Sequence, residues 1–209
     1  MHLYGLIIGI AIIIGLNFFE KHQNIIPKNR LTLFEVGTII SAIVGARAYH
    51  VIDQWSFYSY NLILIPQTWH GGLGIFGGII GAIIFILFYV RFIPNTFYII
   101  LNTITSILPL CQAIGRLGNW TNGENPIWWP EAIGDLLLFI IITKAQKRYS
   151  ATALYLIGYG LIRFLTEFWR TETWVIQNIK VGQVISLIFI IIGLILIYRE
   201  RSKVPQKHL

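Results

Sequence analysis

Apolar residues run through this chain in long blocks, and polar residues are confined to short breaks between them. Seven blocks of about 17 to 20 residues lie at about 3–19, 33–52, 73–90, 97–114, 132–148, 152–169 and 182–198. Each is long enough for a helix to cross ~30 Å of hydrocarbon. The pattern predicts an all-α integral membrane protein, a bundle of about seven transmembrane helices. The first block lacks a basic leader and is followed by the charged stretch EKHQNIIPKNR, so it is expected to remain as a span rather than act as a cleaved signal. The longest breaks, about 53–72 and 115–131, are too short for a soluble domain, and no internal repeat is visible. Residues 1–209 are therefore expected to form a single transmembrane helical domain. Glycines recur inside the blocks at Gly5/Gly9, Gly74/Gly78, Gly77/Gly81 and Gly158/Gly160, a spacing that lets helix backbones approach closely. Thr32 to Glu35 has the form of a capping box opening the second span.

Composition agrees with the pattern: 56% of residues are hydrophobic and only 12% charged, with a mean hydropathy of +0.68. A soluble domain has about 25% charged residues. Charge placement adds an orientation. Eleven of the sixteen lysines and arginines fall in breaks on one side of the predicted spans, which the positive-inside bias makes cytosolic. The N-terminus is then outside and the C-terminus cytosolic. All seven tryptophans fall on the outer side, at the level that indole prefers. The net charge of +7 reads as inner loops meeting an anionic leaflet, with no nucleic-acid partner implied. One cysteine, Cys111, rules out an internal disulfide framework, and the five histidines have no metal-ligand spacing. No metal and no cofactor are expected.

The other five basic residues, Arg47, Arg116, Arg163, Arg170 and Lys180, lie in or beside apolar blocks, where a charge costs about 3 kcal/mol on insertion scales. In LIGYGLIRFLTEFWR, residues 156–170, Tyr159, Arg163, Glu167 and Arg170 recur at spacings of four, four and three and predict one polar stripe on a helix. A structural Arg163–Glu167 pair with a snorkelling Arg170 is the plainer reading. In AIGRLGNWTNGE, residues 113–124, Arg116 and Asn119 share a helix face, while Asn122-Gly123 alone reads as a turn. Glu131 and Asp135 also share a face, with Asp135 expected to be structural. Alternating span direction predicts that His70, Arg47, Arg116 and the 163–170 stripe converge on the outer half of the bundle. Such a cavity suits an anionic lipid headgroup, because guanidinium binds phosphate bidentately, and His70 has the properties of a proton acceptor.

HGGLGIFGG, GRLGNWTNGE and LIGYGLIRFLTEFWR, with Tyr4-Gly5 in the first span and GQVIS opening the last, resemble the prolipoprotein diacylglyceryl transferase family. The match runs in order along nearly the whole chain and includes the specific pattern GRxGNxxNGE. The resemblance implies an enzyme of the bacterial plasma membrane, multi-pass, with its site opening toward the outer leaflet. It would transfer a diacylglyceryl group from phosphatidylglycerol to the lipobox cysteine thiol of a prolipoprotein, forming a thioether and releasing glycerol phosphate. It implies catalytic roles for His70, Arg116, Arg163 and Glu124, and substrate-binding roles for Tyr4, Asn119, Asn122, Glu131, Tyr159, Glu167 and Arg170. Glu131 aligns with the glutamate of a QLYE-like stretch. Family members carry a periplasmic head segment after NGE, whereas here NGE runs directly into NPIWWPE, so that segment is expected to be absent. A non-enzymatic binder or flippase of anionic lipids, a purely structural membrane protein, and a lipid transferase with a different acceptor remain as alternatives.

Overall fold

The computed structural model describes residues 2–91, 96–123, 127–170, 175–177 and 179–202, with only the backbone given for His2, His70, Ile75, Arg201 and Ser202. It is helical: α1 (His2–His22), α2 (Lys28–Asp53), the single turn α3 (Trp55–Tyr58), α4 (Ile75–Val90), α5 (Thr96–Thr121), α6 (Trp128–Ala145), α7 (Ala151–Thr166) and α8 (Val181–Ser202). A two-residue hairpin, β1 (Val175–Ile176) and β2 (Ile179–Lys180), precedes α8. Each of the seven apolar blocks falls on a helix. Among the described residues four segments, Leu3–His22, Lys28–Asp53, Thr96–Thr121 and Val181–Glu200, are long and apolar enough to cross a membrane.

Two boundaries differ from the sequence pattern. The second helix begins at Lys28, with Pro27 at its N-cap, so Thr32 and Glu35 lie inside it and form no capping box. Proline sets the φ of −58° without needing a hydrogen bond, which lets the helix start a turn before the apolar block does. The seventh helix stops at Thr166, so Glu167 caps it and Arg170 lies beyond it. The stripe expected on one helix is therefore a helix face plus the turn that follows.

The chain forms two compact units, one of Asn24–Ile99 and the other of the remainder. In the first, α2 and α4 lie against each other through glycine. A Cβ on Gly45 would strike the Gly77 carbonyl, and one on Gly81 would strike that of Ser41, so the backbones touch. Gly77 and Gly81 thus do what their spacing predicts. Between α2 and α4 runs a loop with two short 3₁₀ turns, Leu62–Leu64 and Thr68–His70, and the Gly74 N–H donates to the Ala46 carbonyl at 2.9 Å.

In the second unit, α7 packs on α8, with Gly160 against the Ser186 carbonyl and Gly193 against that of Ala153. Leu138 and Ile142 of α6 form a buried cluster with Ala151 and Tyr155 of α7. Asn102 of α5 ties down the start of α7: its Oδ1 accepts from the backbone N–H and the hydroxyl of Thr152, both at 2.9 Å. The first helix reaches α5 where the Cys111 thiol donates to the Ala11 carbonyl at 3.3 Å and the Tyr4 ring lies over Gly118. Gly5 and Gly9 mark no close approach: a Cβ on either meets nothing within 4 Å among the described residues.

Candidate functional site

Glu131 is the centre of the polar groups in the larger unit. It sits in the first turn of α6 and is 1% exposed. The Arg170 fork grips it from the turn after α7, Nε to Oε1 at 3.1 Å and Nη2 to Oε2 at 3.0 Å. Arg116 of α5 brings its Nε to 3.1 Å from Oε2, and Arg163 of α7 its Nη1 to 3.3 Å from Oε1. The Thr166 hydroxyl donates at 3.2 Å. A single carboxylate thus holds three guanidiniums that three separate segments supply. A buried carboxylate is tolerated only where donors surround it, and here they do.

Arg163 also pairs through Nη2 with Glu167 at 2.9 Å, the four-residue pair expected from spacing. Glu167, 1% exposed, lies over Gly182 at the start of α8, where a Cβ would come within 2.7 Å of its carboxyl carbon. That glycine is the first residue of GQVIS, and its missing side chain leaves room for a carboxylate at the positive end of α8. The Lys180 ammonium then closes the turn after α7, donating to the carbonyls of Glu167 at 2.6 Å and Arg170 at 2.9 Å. Arg170 is therefore not snorkelling; its charge is turned inward onto Glu131.

Other expected residues lie on the same helices or beside them. Tyr159, one turn before Arg163, stacks on Tyr155 at 5.4 Å between ring centroids. Asn119 follows Arg116 by one turn on α5, and the Tyr4 ring covers Gly118 between them. Asn122 lies in the turn that ends α5, closed by Gly123 at φ +68°, so the plain turn reading of this pair is the observed one. Glu124 and the side chain of His70 lie outside the described residues. Thr166 and Lys180 were given no role by sequence: the threonine is merely one more polar residue three positions after Arg163, and the lysine's targets are backbone carbonyls that no pattern marks.

Arg47 departs from its expected role. It is 7% exposed, and its guanidinium donates to four backbone carbonyls: Nε to Ile65 at 2.7 Å, Nη2 to Leu64 at 2.6 Å, and Nη1 to Gly71 at 2.8 Å and Gly72 at 3.0 Å. The Tyr58 ring lies 5.1 Å from its carbon Cζ. Four of its five N–H donors are thus spent on the chain itself, and a single Nη2–H cannot clamp a headgroup bidentately. The arginines on Glu131 differ, with side chains 19–24% exposed and N–H groups to spare among the described residues.

Comparison with known proteins adds the lineage. The sequence model of the family described as "Prolipoprotein diacylglyceryl transferase" matches residues 1–129 and 125–199. Relatives named phosphatidylglycerol–prolipoprotein diacylglyceryl transferase include one from Finegoldia magna, 33% identical over 96% of this chain and 92% of the relative. One from Staphylococcus haemolyticus is 34% identical over 97% and 86%, and one from Clostridium novyi 32% over 96% and 91%. With the family's sequence model matched over nearly the whole length, the chain belongs to the prolipoprotein diacylglyceryl transferase family.

Proposed function

We propose that this protein transfers the diacylglyceryl group of phosphatidylglycerol to the lipobox cysteine of a prolipoprotein. The observation that carries the proposal is the Glu131 cluster, in which Arg116, Arg163 and Arg170 are held together by one carboxylate yet keep N–H groups without a partner among the described residues. A phosphodiester is the ligand such a cluster suits, since guanidinium stays charged and offers paired donors. Family membership supplies the reaction: the relatives' names specify this donor and acceptor.

The roles follow from the chemistry. A free thiol has a pKa near 8.5, so it needs a base, and His70 takes its proton. The thiolate attacks the glycerol carbon that carries the phosphate; a C–S bond forms, the C–O bond breaks, and glycerol phosphate leaves with the electron pair. Arg116 and Arg163 compensate the charge on the leaving phosphate. Glu131, Glu167 and Arg170 preset the two arginines, and Tyr4, Asn119, Asn122, Glu124 and Tyr159 line or orient the headgroup. Seven spans, an outside N-terminus and a site open to the outer leaflet of the bacterial plasma membrane complete the reading. The family match divides at 125–129, which supports the absence of a head segment after NGE.

The test is mass spectrometry of a lipobox peptide incubated with the purified protein in phosphatidylglycerol vesicles. A gain of one diacylglyceryl mass, lost in Arg116→Ala, is the expected result. No gain from a folded wild-type protein that still binds phosphatidylglycerol would overturn the transferase reading and leave a lipid-binding one.

A further inference from the structure

The loop that carries His70 has little packing to hold it. Between α3 and α4 its large side chains point outward, with Ile63 78% and Trp69 74% exposed. Beside it lies a cavity of about 340 Å³ lined by Arg47, His50, Tyr58, Gln67, Gly71 and Gly72 among others. Among the described residues its backbone–backbone hydrogen bonds are short-range turns, apart from the Gly74 N–H on Ala46. A loop with few buried contacts opens readily unless something else pins it.

Arg47 is what pins it. Its four acceptors come from two limbs of the loop, Leu64 and Ile65 on one and Gly71 and Gly72 on the other, so one guanidinium ties both to α2. The geometry has a consequence for the far side of the loop. A trans peptide is planar, with its N–H opposite its C=O. Turning the Gly71 and Gly72 carbonyls onto Arg47 therefore turns the N–H groups of Gly72 and Leu73 away from it. The positive φ angles of Gly71 (+89°) and Gly72 (+73°) are what this arrangement demands, and only glycine adopts them freely. Among the described residues neither of those two N–H groups has a hydrogen-bond partner.

We propose that Arg47 is a positioning residue for the reaction, fixing the loop backbone so that the main chain at His70 and the N–H groups of Gly72 and Leu73 are held in one place. This rests on the reading that His70 takes part in the transfer. Lysine cannot substitute, because one ammonium cannot span four carbonyls on two limbs. His50 and the Arg47 fork also leave no space for a side chain at Gly72, where a Cβ would lie 2.6 Å from the imidazole and 2.7 Å from Nη1.

The test follows amide deuterium exchange and transfer kinetics of the full chain in phosphatidylglycerol vesicles for Arg47→Lys, Arg47→Met and Gly72→Ala. In both Arg47 variants the Gly71 and Gly74 amides are expected to exchange about tenfold faster or more. The transfer kcat falls about a hundredfold, the scale of a misplaced catalytic group, and the KM for peptide stays within about twofold. Amides within α2 and α4 keep their protection. Gly72→Ala, which keeps Arg47 in the chain but crowds its fork and the imidazole of His50, gives the same split. Wild-type exchange in Arg47→Lys, unchanged kcat in a variant whose loop has loosened, or equal loss of protection in α2 and α4 would each overturn the proposal. A wild-type protein that transfers nothing would refute the transferase reading instead, and the exchange data would still decide whether Arg47 holds the loop.

Discussion

Two regions of this molecule bury arginine in opposite ways. Around Glu131 three guanidiniums share one carboxylate, and each keeps about a fifth of its side chain exposed. Under the loop before α4 a single guanidinium is shared by four carbonyls and is almost wholly enclosed. In the first arrangement donors outnumber acceptors, so the group has capacity for an outside anion. In the second, four of the five donors are spent on the chain itself. Charge type and burial alone do not separate a ligand-binding arginine from a structural one; the ratio of donors to acceptors around it does.

The largest effect is expected where this contrast is sharpest. Glu131→Gln removes the negative charge that three arginines share, and the remaining partners of a buried pair then lose about 3–5 kcal/mol of stability. Unfolding in mixed micelles measures the loss, and transfer is expected to disappear with it. A loss below about 1 kcal/mol would mean that the arginines do not depend on this carboxylate.

Arg163→Lys tests whether the surplus donors matter. The ammonium keeps the charge and can still pair with Glu167, but it loses the fork, so transfer should fall about 10- to 100-fold with little change in stability. Equal turnover in the two proteins would show that only charge counts at this position. Lys180→Met comes next: freeing the Glu167 and Arg170 carbonyls costs about 1–2 kcal/mol, and it loosens the turn that aims Arg170. Amide exchange across 167–170 reads that effect directly.

The smallest effect belongs to Asp135. It lies one turn beyond Glu131 on α6 and is equally buried, yet neither of its carboxyl oxygens has a hydrogen-bond partner among the described residues. Asp135→Asn is expected to change stability by less than about 1 kcal/mol, with any change favourable. A loss as large as that of Glu131→Gln would erase the distinction between the two carboxylates.

Much of the helix pattern was legible in the sequence, because an apolar block of about 20 residues leaves the backbone few options in hydrocarbon. The glycine spacing at Gly77 and Gly81 also announced a close approach, whereas the same spacing at Gly5 and Gly9 led to none among the described residues. The polar motifs were legible as well: Arg116, Arg163, Glu167 and Arg170 stood out as charges in apolar surroundings, and all four lie in one network with Glu131. Less visible was which residue stands at its centre. Spacing ranks neighbours along a helix, but Glu131 of α6 meets Arg116 of α5, Arg163 of α7 and Arg170 of the turn after it.

By itself the amino-acid sequence determined the helices, the family and the set of charged residues that have to be sheltered, since each follows from local composition and short-range spacing. Only the tertiary structure decided how those charges are partnered. Arg47 and Arg116 look alike as arginines in apolar blocks; one meets four backbone carbonyls and the other a shared carboxylate. Carbonyls carry no sequence signature, because every residue has one, and their direction is set by the fold of the loop that presents them.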